Sequence, residues 1–186
     1  MKHKIEALDH LSVTILILPL SSLMTVASCI DPMRAANRIA GKKIFHWKLV
    51  SPRGVAVDLT CGIALPVNGR FSDGDRGDLL IIIGGFDPIN NALPVSPIRL
   101  KRLLSSFTKV VCVEGGTWLL AKTGVLDGKK ATTHWEDLER FSDEFSKIDV
   151  VADRFVVEQK YVTVGGASPS FDFLLSFIEK RFAAAL

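Results

Sequence analysis

The chain has 186 residues, 48% of them hydrophobic and 23% charged, with a net charge of +3. That length favours one domain spanning residues 1–186, and that composition supplies a sizeable core, which excludes a disordered or fibrous chain. The basic residues are dispersed: Arg99, Lys101 and Arg102 form one cluster and Lys129 and Lys130 a pair, and both read as solvated helix and turn faces rather than a nucleic-acid surface.

Residues 12–18 form an apolar run that reads as a buried central strand. The same region imitates an export signal, because residues 11–20 are apolar and Val26-Ala27-Ser28-Cys29 has the form of a lipoprotein cleavage box. Glu6 and Asp9 in the leader and the break at Pro19-Leu20-Ser21-Ser22 argue against export. The run is also shorter than the roughly 20 residues a bilayer-spanning helix needs. A cytoplasmic protein without membrane attachment is expected. The three cysteines, Cys29, Cys61 and Cys112, lack CxxC spacing, so neither a disulfide framework nor a zinc site is expected, and no other metal or cofactor is implied.

Ser21 or Ser22 is placed to cap a following helix that Gly41 closes, with Leu23, Val26, Ala27, Ile30 and Met33 as its apolar face and Pro32 kinking or dividing it. Residues 45–50 read as a second strand, 55–59 and 63–67 as a short hairpin or edge strands, and 71–77 as a polar turn. Residues 78–83 carry no polar alternation and read as a strand buried on both faces, ended by Gly84-Gly85. Ser96-Pro97 opens an amphipathic helix over 98–107. A strand at 109–113, a helix at 115–123 capped by Gly124, a turn at Asp127-Gly128, a short strand at 131–133 and a helical stretch at 135–145 follow. Strands at 155–157 and 161–164, joined by Glu158-Gln159-Lys160, precede Gly165-Gly166 and a helix opened by Ser168-Pro169 that runs to the last residue. Strand-length runs alternating with helical segments predict an α/β fold with a mostly parallel central sheet.

In such a sheet, ligands bind at the carboxyl ends of the strands. Gly84-Gly85, Glu114-Gly115-Gly116 and His134 all fall at such ends. Glycines there let backbone N–H groups approach a ligand, and the helix from Gly115 points its positive end at the same place. A strand-to-helix elbow holds one side chain up into the cleft. Ser or Cys at that position beside a His would do acyl transfer. Glu114 instead suits a base or a partner for a cation. Plainer readings stand beside this one: Glu114 capping its own helix, His134 held by Glu136 or Asp137, Gly84-Gly85 as a mere turn, and Cys112 as an inert core residue.

Three stretches resemble the PfpI/ThiJ-like, class I glutamine amidotransferase-like superfamily, and most of all the amino-terminal sensor domains of AraC-type transcriptional regulators of the GlxA-like group. They are Ile30-Asp31-Pro32-Met33-Arg34-Ala35-Ala36-Asn37-Arg38 with Ala40-Gly41, then residues 80–85, then residues 116–135 with Leu119-Leu120-Ala121, Gly124-Val125-Leu126-Asp127-Gly128 and Ala131-Thr132-Thr133-His134-Trp135 in register. A weaker match is Val162-Thr163-Val164-Gly165-Gly166-Ala167 with Asp172. The resemblance implies a flavodoxin-like three-layer α/β/α sandwich. It aligns the elbow position, usually Cys in the family's enzymes, with Glu114; Leu119-Leu120-Ala121 fixes that register and rules out Cys112 as the equivalent. It further implies a non-catalytic, homodimeric sensor of a small-molecule effector such as an amino acid or quaternary amine. DNA would be bound only through a helix-turn-helix domain for which this chain shows no pattern before Leu186.

The ligand site so expected comprises Gly84, Gly85, Glu114, Gly115, Trp118, His134 and Trp135. Glu114 would meet a cationic group, Trp118 or Trp135 would add cation–π contact, and the Gly85 and Gly115 donors would hold a ligand carboxylate. Two alternatives are an acid–base enzyme using Glu114 and His134 without a covalent intermediate, and an interaction module with a vestigial cleft. An exposed sheet edge or the helix over 98–107 is the candidate dimer surface.

Overall fold

A computed structural model of the chain describes residues 10–92 and 95–182. Its centre is a seven-stranded sheet built from β1 (Leu11–Ile17), β2 (Phe45–Ser51), β5 (Gly69–Arg70), β6 (Gly77–Gly84), β7 (Phe107–Glu114), β10 (Phe155–Glu158) and β11 (Tyr161–Val164), in the order β10-β11-β7-β6-β1-β2-β5. Every pairing is parallel except β10 with β11. Two small ribbons stand apart: β3 (Val57–Asp58) with β4 (Ala64–Leu65), antiparallel, and β8 (Lys130–Ala131) with β9 (Asp149–Val150), parallel.

Helices cover both faces, which is why the central strands carry unbroken apolar runs. Val13, Ile15, Ile17, Ile81, Ile83, Val111 and Val113 point to the layer of α1 (Leu23–Ile39) and α6 (Ala167–Phe182). Leu16, Leu80, Ile82, Val110 and Cys112 point to the layer of α3 (Pro97–Leu104), α4 (Gly116–Lys122) and α5 (Leu138–Glu144). The result is the expected flavodoxin-like α/β/α sandwich. A one-turn helix, α2 (Pro88–Asn91), and the parallel edge strand β5 have no counterpart in the expected elements.

Several local expectations need correction. α1 is one helix through Pro32, which is buried, and it is not divided there. Its buried face is Thr25, Val26, Cys29, Met33 and Ala36, with Leu23 and Ala27 exposed, so the stripe is rotated from the one read in the sequence. Tertiary contact selected small and polar residues over Leu23 because α6 and the elbow press closely on that side. Ser22 occupies the N-cap without a side-chain cap bond, while the Ser21 hydroxyl donates to the Leu18 and Ile83 carbonyls. Residues 71–77 are no simple polar turn: Phe71 is fully buried, and Asp75 accepts from Ser72 N and pairs with Lys48. α3 ends at Leu104, so Phe107 opens β7 instead of closing a helix, and the Ser96 hydroxyl caps α3 as expected by accepting from Arg99 N. The strand expected at 131–133 pairs only through Lys130 and Ala131. The continuation of α6 to the final residue lies outside the described residues, as do Glu6 and Asp9.

The sheet order reverses between β1 and β6: β1 continues through α1 to β2 on one side, and β6 continues to β7 on the other. The crevice beyond the carboxyl ends of these strands is the place an open α/β sheet reserves for ligands.

Candidate functional site

At that crevice lies a cleft of about 610 Å³. Its walls come from the segment after β1 (Leu20, Ser22), the segment after β6 (Gly85, Phe86), the elbow after β7 (Glu114, Gly115) and the segment after β8 (Thr133, His134, Trp135). Gly165, Gly166 and the first turn of α6 close it.

Glu114 ends β7 with φ of +51°, a conformation sparsely populated by non-glycine residues. Three neighbours hold it there. β6 and β7 pair in register with Gly84 opposite Glu114. A Cβ on Gly84 would come within 2.2 Å of the Gly116 amide nitrogen, so Gly84 is the space into which the start of α4 packs. The Thr133 hydroxyl donates to the Glu114 carbonyl at 3.1 Å.

The Glu114 carboxylate turns away from its own helix. α4 has Gly115 at its N-cap and no side-chain cap bond, so the capping reading fails. Instead Oε1 accepts a hydrogen bond from Thr25 Oγ1 at 2.9 Å, across from α1. Burial pushes the Glu114 carboxyl above the ordinary carboxylate range; the Thr25 hydrogen bond and the nearby His134 pull it partly back. A carboxyl so placed holds its negative charge best with a cation in the cleft.

Beneath the elbow, the Cys29 thiol is fully buried and pushed up to about 12, first by burial and further by the Glu114 charge, although Ser170 opposes this. Burial likewise raises Cys112. Both are inert core thiols.

His134 lines the cleft with its side chain 28% exposed, and its Nδ1 lies 3.6 Å from Glu136 Oε2. Trp135 is 71% exposed and Phe86 63%, so two aromatic rings flank the mouth. Asp137 and Asp153 add acidic groups, while Arg154, which also lines the cleft, is tied to Ser168 and Asp172.

The geometry therefore brings Gly85, Glu114, Gly115, His134 and Trp135 to one surface. Two expected site residues are not on it. Gly84 lies behind the elbow and serves its packing. Trp118 is 3% exposed on the far side of α4, edge-on to Phe141 at 5.2 Å and Phe145 at 5.7 Å, with Arg140 over its ring at 5.1 Å. It cannot reach a cleft ligand. Thr25, Thr133, Phe86, Asp153 and Arg154 also line the cleft and were not among the residues expected there. Thr25 did carry a signal, a polar residue in phase with the buried Cys29 and Met33. Among the described residues, no group of three or more His, Cys, Asp and Glu side chains could hold a metal ion, and no helix is long and apolar enough to cross a membrane.

Comparison with known proteins places this architecture. The sequence pattern described as the DJ-1/PfpI family matches residues 13–180, so the chain belongs to that family. It is 29% identical over 171 residues to the HTH-type transcriptional regulator CdhR of Pseudomonas aeruginosa, covering 92% of this chain and 51% of the relative. It is also 27% identical over 139 residues to an isonitrile hydratase of Pseudomonas putida, covering 72% and 57% respectively, so the relatives include an enzyme. The crystal structure of an AraC family transcriptional regulator from Pseudomonas putida superposes with a TM-score of 0.77 at 20% identity, over 92% of each chain, which establishes the common fold. The chain spans about half the length of the curated relatives it matches.

Proposed function

We propose that this DJ-1/PfpI-family chain is the small-molecule-sensing, homodimeric amino-terminal domain of an AraC-type transcriptional regulator, non-catalytic, with DNA left to a helix-turn-helix part of the regulator. Its likeness to a helix-turn-helix regulator over nearly all of its own length supports the reading. The observation that carries it is Glu114 at the elbow. A carboxylate there is a poor acyl-transfer nucleophile, and with Thr25 on one oxygen it is positioned to receive a cation. Trp135 and Phe86 are the aromatic partners for that cation, the role in which Trp118 fails. An amino acid or quaternary amine meets this chemistry, its own carboxylate lying toward Gly85 and Gly115.

A thermal-shift screen of the purified chain against amino acids, betaines and polyamines tests the proposal. A ligand at a hundred times its dissociation constant adds about 2.7 kcal/mol of stability. The expected result is a hit weakened more than tenfold by Glu114→Ala; a hit of unchanged affinity in that variant would sink the pose.

A second reading has support of its own. The raised Glu114 carboxyl and His134 face one cleft, and one relative is a hydratase. Turnover abolished by both Glu114→Gln and His134→Ala would establish an acid–base enzyme. For the homodimer, Ile98, 75% exposed on α3, is the candidate contact. Ile98→Glu is expected to shift the chain to monomer in size-exclusion chromatography, and an unchanged dimer would remove α3 as the surface.

A further inference from the structure

α6 spans two cavities. Its first turn closes the cleft at Ala167 and Pro169. Its last turns, roughly 15 Å further along the axis at 1.5 Å per residue, line a separate cavity of about 280 Å³ with the start of β7 and the edge strand β10. The two share no lining residue.

The floor of this second cavity is aromatic. Phe155 of β10 meets Phe173 of α6 edge-on at 5.7 Å, and Phe173 stacks on Phe177 at 6.1 Å. Val157, 52% exposed, extends the apolar surface to the sheet edge. The rim is cationic, formed by Lys109 of β7 and Lys180 and Arg181 of α6, and among the described residues no carboxylate lines it. Lys109 Nζ donates to the Gln159 carbonyl at 3.0 Å, which fixes the ammonium at the rim and leaves it further N–H donors. Arg181 lies over the Phe182 ring at 5.8 Å.

The lining decides the ligand's charge, since Lys109 and Lys180 have no carboxylate partner among the described residues. Two such lysines beside an apolar floor complement a molecule with an apolar body and an anionic head. A cationic amphiphile of the same body would meet like charge at the rim.

We propose that this cavity is a second small-molecule site, for amphiphilic carboxylates. The apolar body, of about six to eight carbons in a cavity just under the usual range for drug-sized ligands, rests on Phe155, Phe173 and Phe177. The carboxylate takes charge-assisted hydrogen bonds from Lys109 and Lys180. The proposal is independent of the effector assigned to the main cleft.

Octanoate is the probe, with octylamine and octanol as matched controls, titrated into the chain by calorimetry or saturation-transfer NMR. Octanoate is expected to bind at least tenfold more tightly than octylamine. The double substitution Lys109→Gln and Lys180→Gln is expected to weaken octanoate at least tenfold and leave octanol unchanged, while Glu114→Ala leaves octanoate binding unchanged. Should the double variant fail to fold, Lys180→Gln alone, on an exposed turn, carries the test with an expected loss of at least threefold. Octanoate binding no tighter than octylamine, insensitive to the lysine changes, or lost in Glu114→Ala would each overturn the proposal.

Discussion

At the floor of the cleft, Glu114 sits on a backbone wedged between Gly84, Gly85 and Gly116; at its mouth, Phe86 and Trp135 are 63% and 71% exposed. The floor is set by backbone meeting backbone. A Cβ on Gly85 would lie 1.6 Å from the Leu20 carbonyl oxygen, and one on Gly116 2.2 Å from the Ile82 carbonyl oxygen. The mouth is set by side chains that solvent surrounds. Glu114 is therefore held in fixed geometry by backbone, whereas the aromatic rim faces solvent.

The harshest way to break that contrast is Gly85→Ala. Neither the Leu20 carbonyl nor the Gly85 backbone has a flexible atom to yield, so a loss above about 4 kcal/mol in urea unfolding, or failure to fold, is expected. A loss below about 1 kcal/mol would show that the floor is as pliable as the mouth.

A smaller effect sharpens the electrostatic half of the comparison. Because burial raises the folded-state pKa of Glu114 above its unfolded value, the folded chain holds the proton longer. That contribution to stability is complete below the ordinary carboxyl value of about 4.3 and is lost as pH rises through the raised folded value. Glu114→Gln should flatten this part of the profile, read as the difference between the two proteins in urea unfolding across that window. A cationic ligand should bind more tightly as pH rises over the same range in the parent chain and not in the variant. Identical profiles would mean that Glu114 ionises freely.

The smallest stability effect is expected at the mouth. Trp135→Ala should change stability by less than about 0.5 kcal/mol, as for other exposed positions. It should cost a cationic ligand about 0.5–1 kcal/mol, some two- to fivefold in affinity, if the ring supplies a cation–π contact. A large loss of stability would assign Trp135 to the scaffold.

Much of the fold was legible along the chain. Strands β1, β6 and β7 announce themselves as apolar runs because both of their faces are covered, and Ser96-Pro97 caps α3 through a bond that spans only three residues. The short strand β5 was not legible: Gly69 and Arg70 carry no strand propensity and are extended only because β2 lies alongside. The rotation of α1 was hidden for a related reason, since Leu23 is as apolar as any core residue and only the position of α6 and the elbow puts Thr25 inward. At the site, the elbow glycines and His134 were readable from their places after strands. The two misplacements are Gly84, which the start of α4 packs against, and Trp118, whose ring is turned away from the cleft by its packing against Phe141 and Phe145.

By itself, then, the sequence determined the order of the main strands and helices, the parallel sheet, the elbow and the acidic residue on it, because each depends on residues close together in the chain or on a periodicity that burial imposes. Only the tertiary structure decided that Thr25 from α1 and Thr133 from the segment after β8 both bind Glu114, one at the carboxylate and one at the carbonyl. Those contacts join positions 89 and 19 residues apart, and they exist only once β1, β6 and β7 lie in register and bring their carboxyl ends to one crevice.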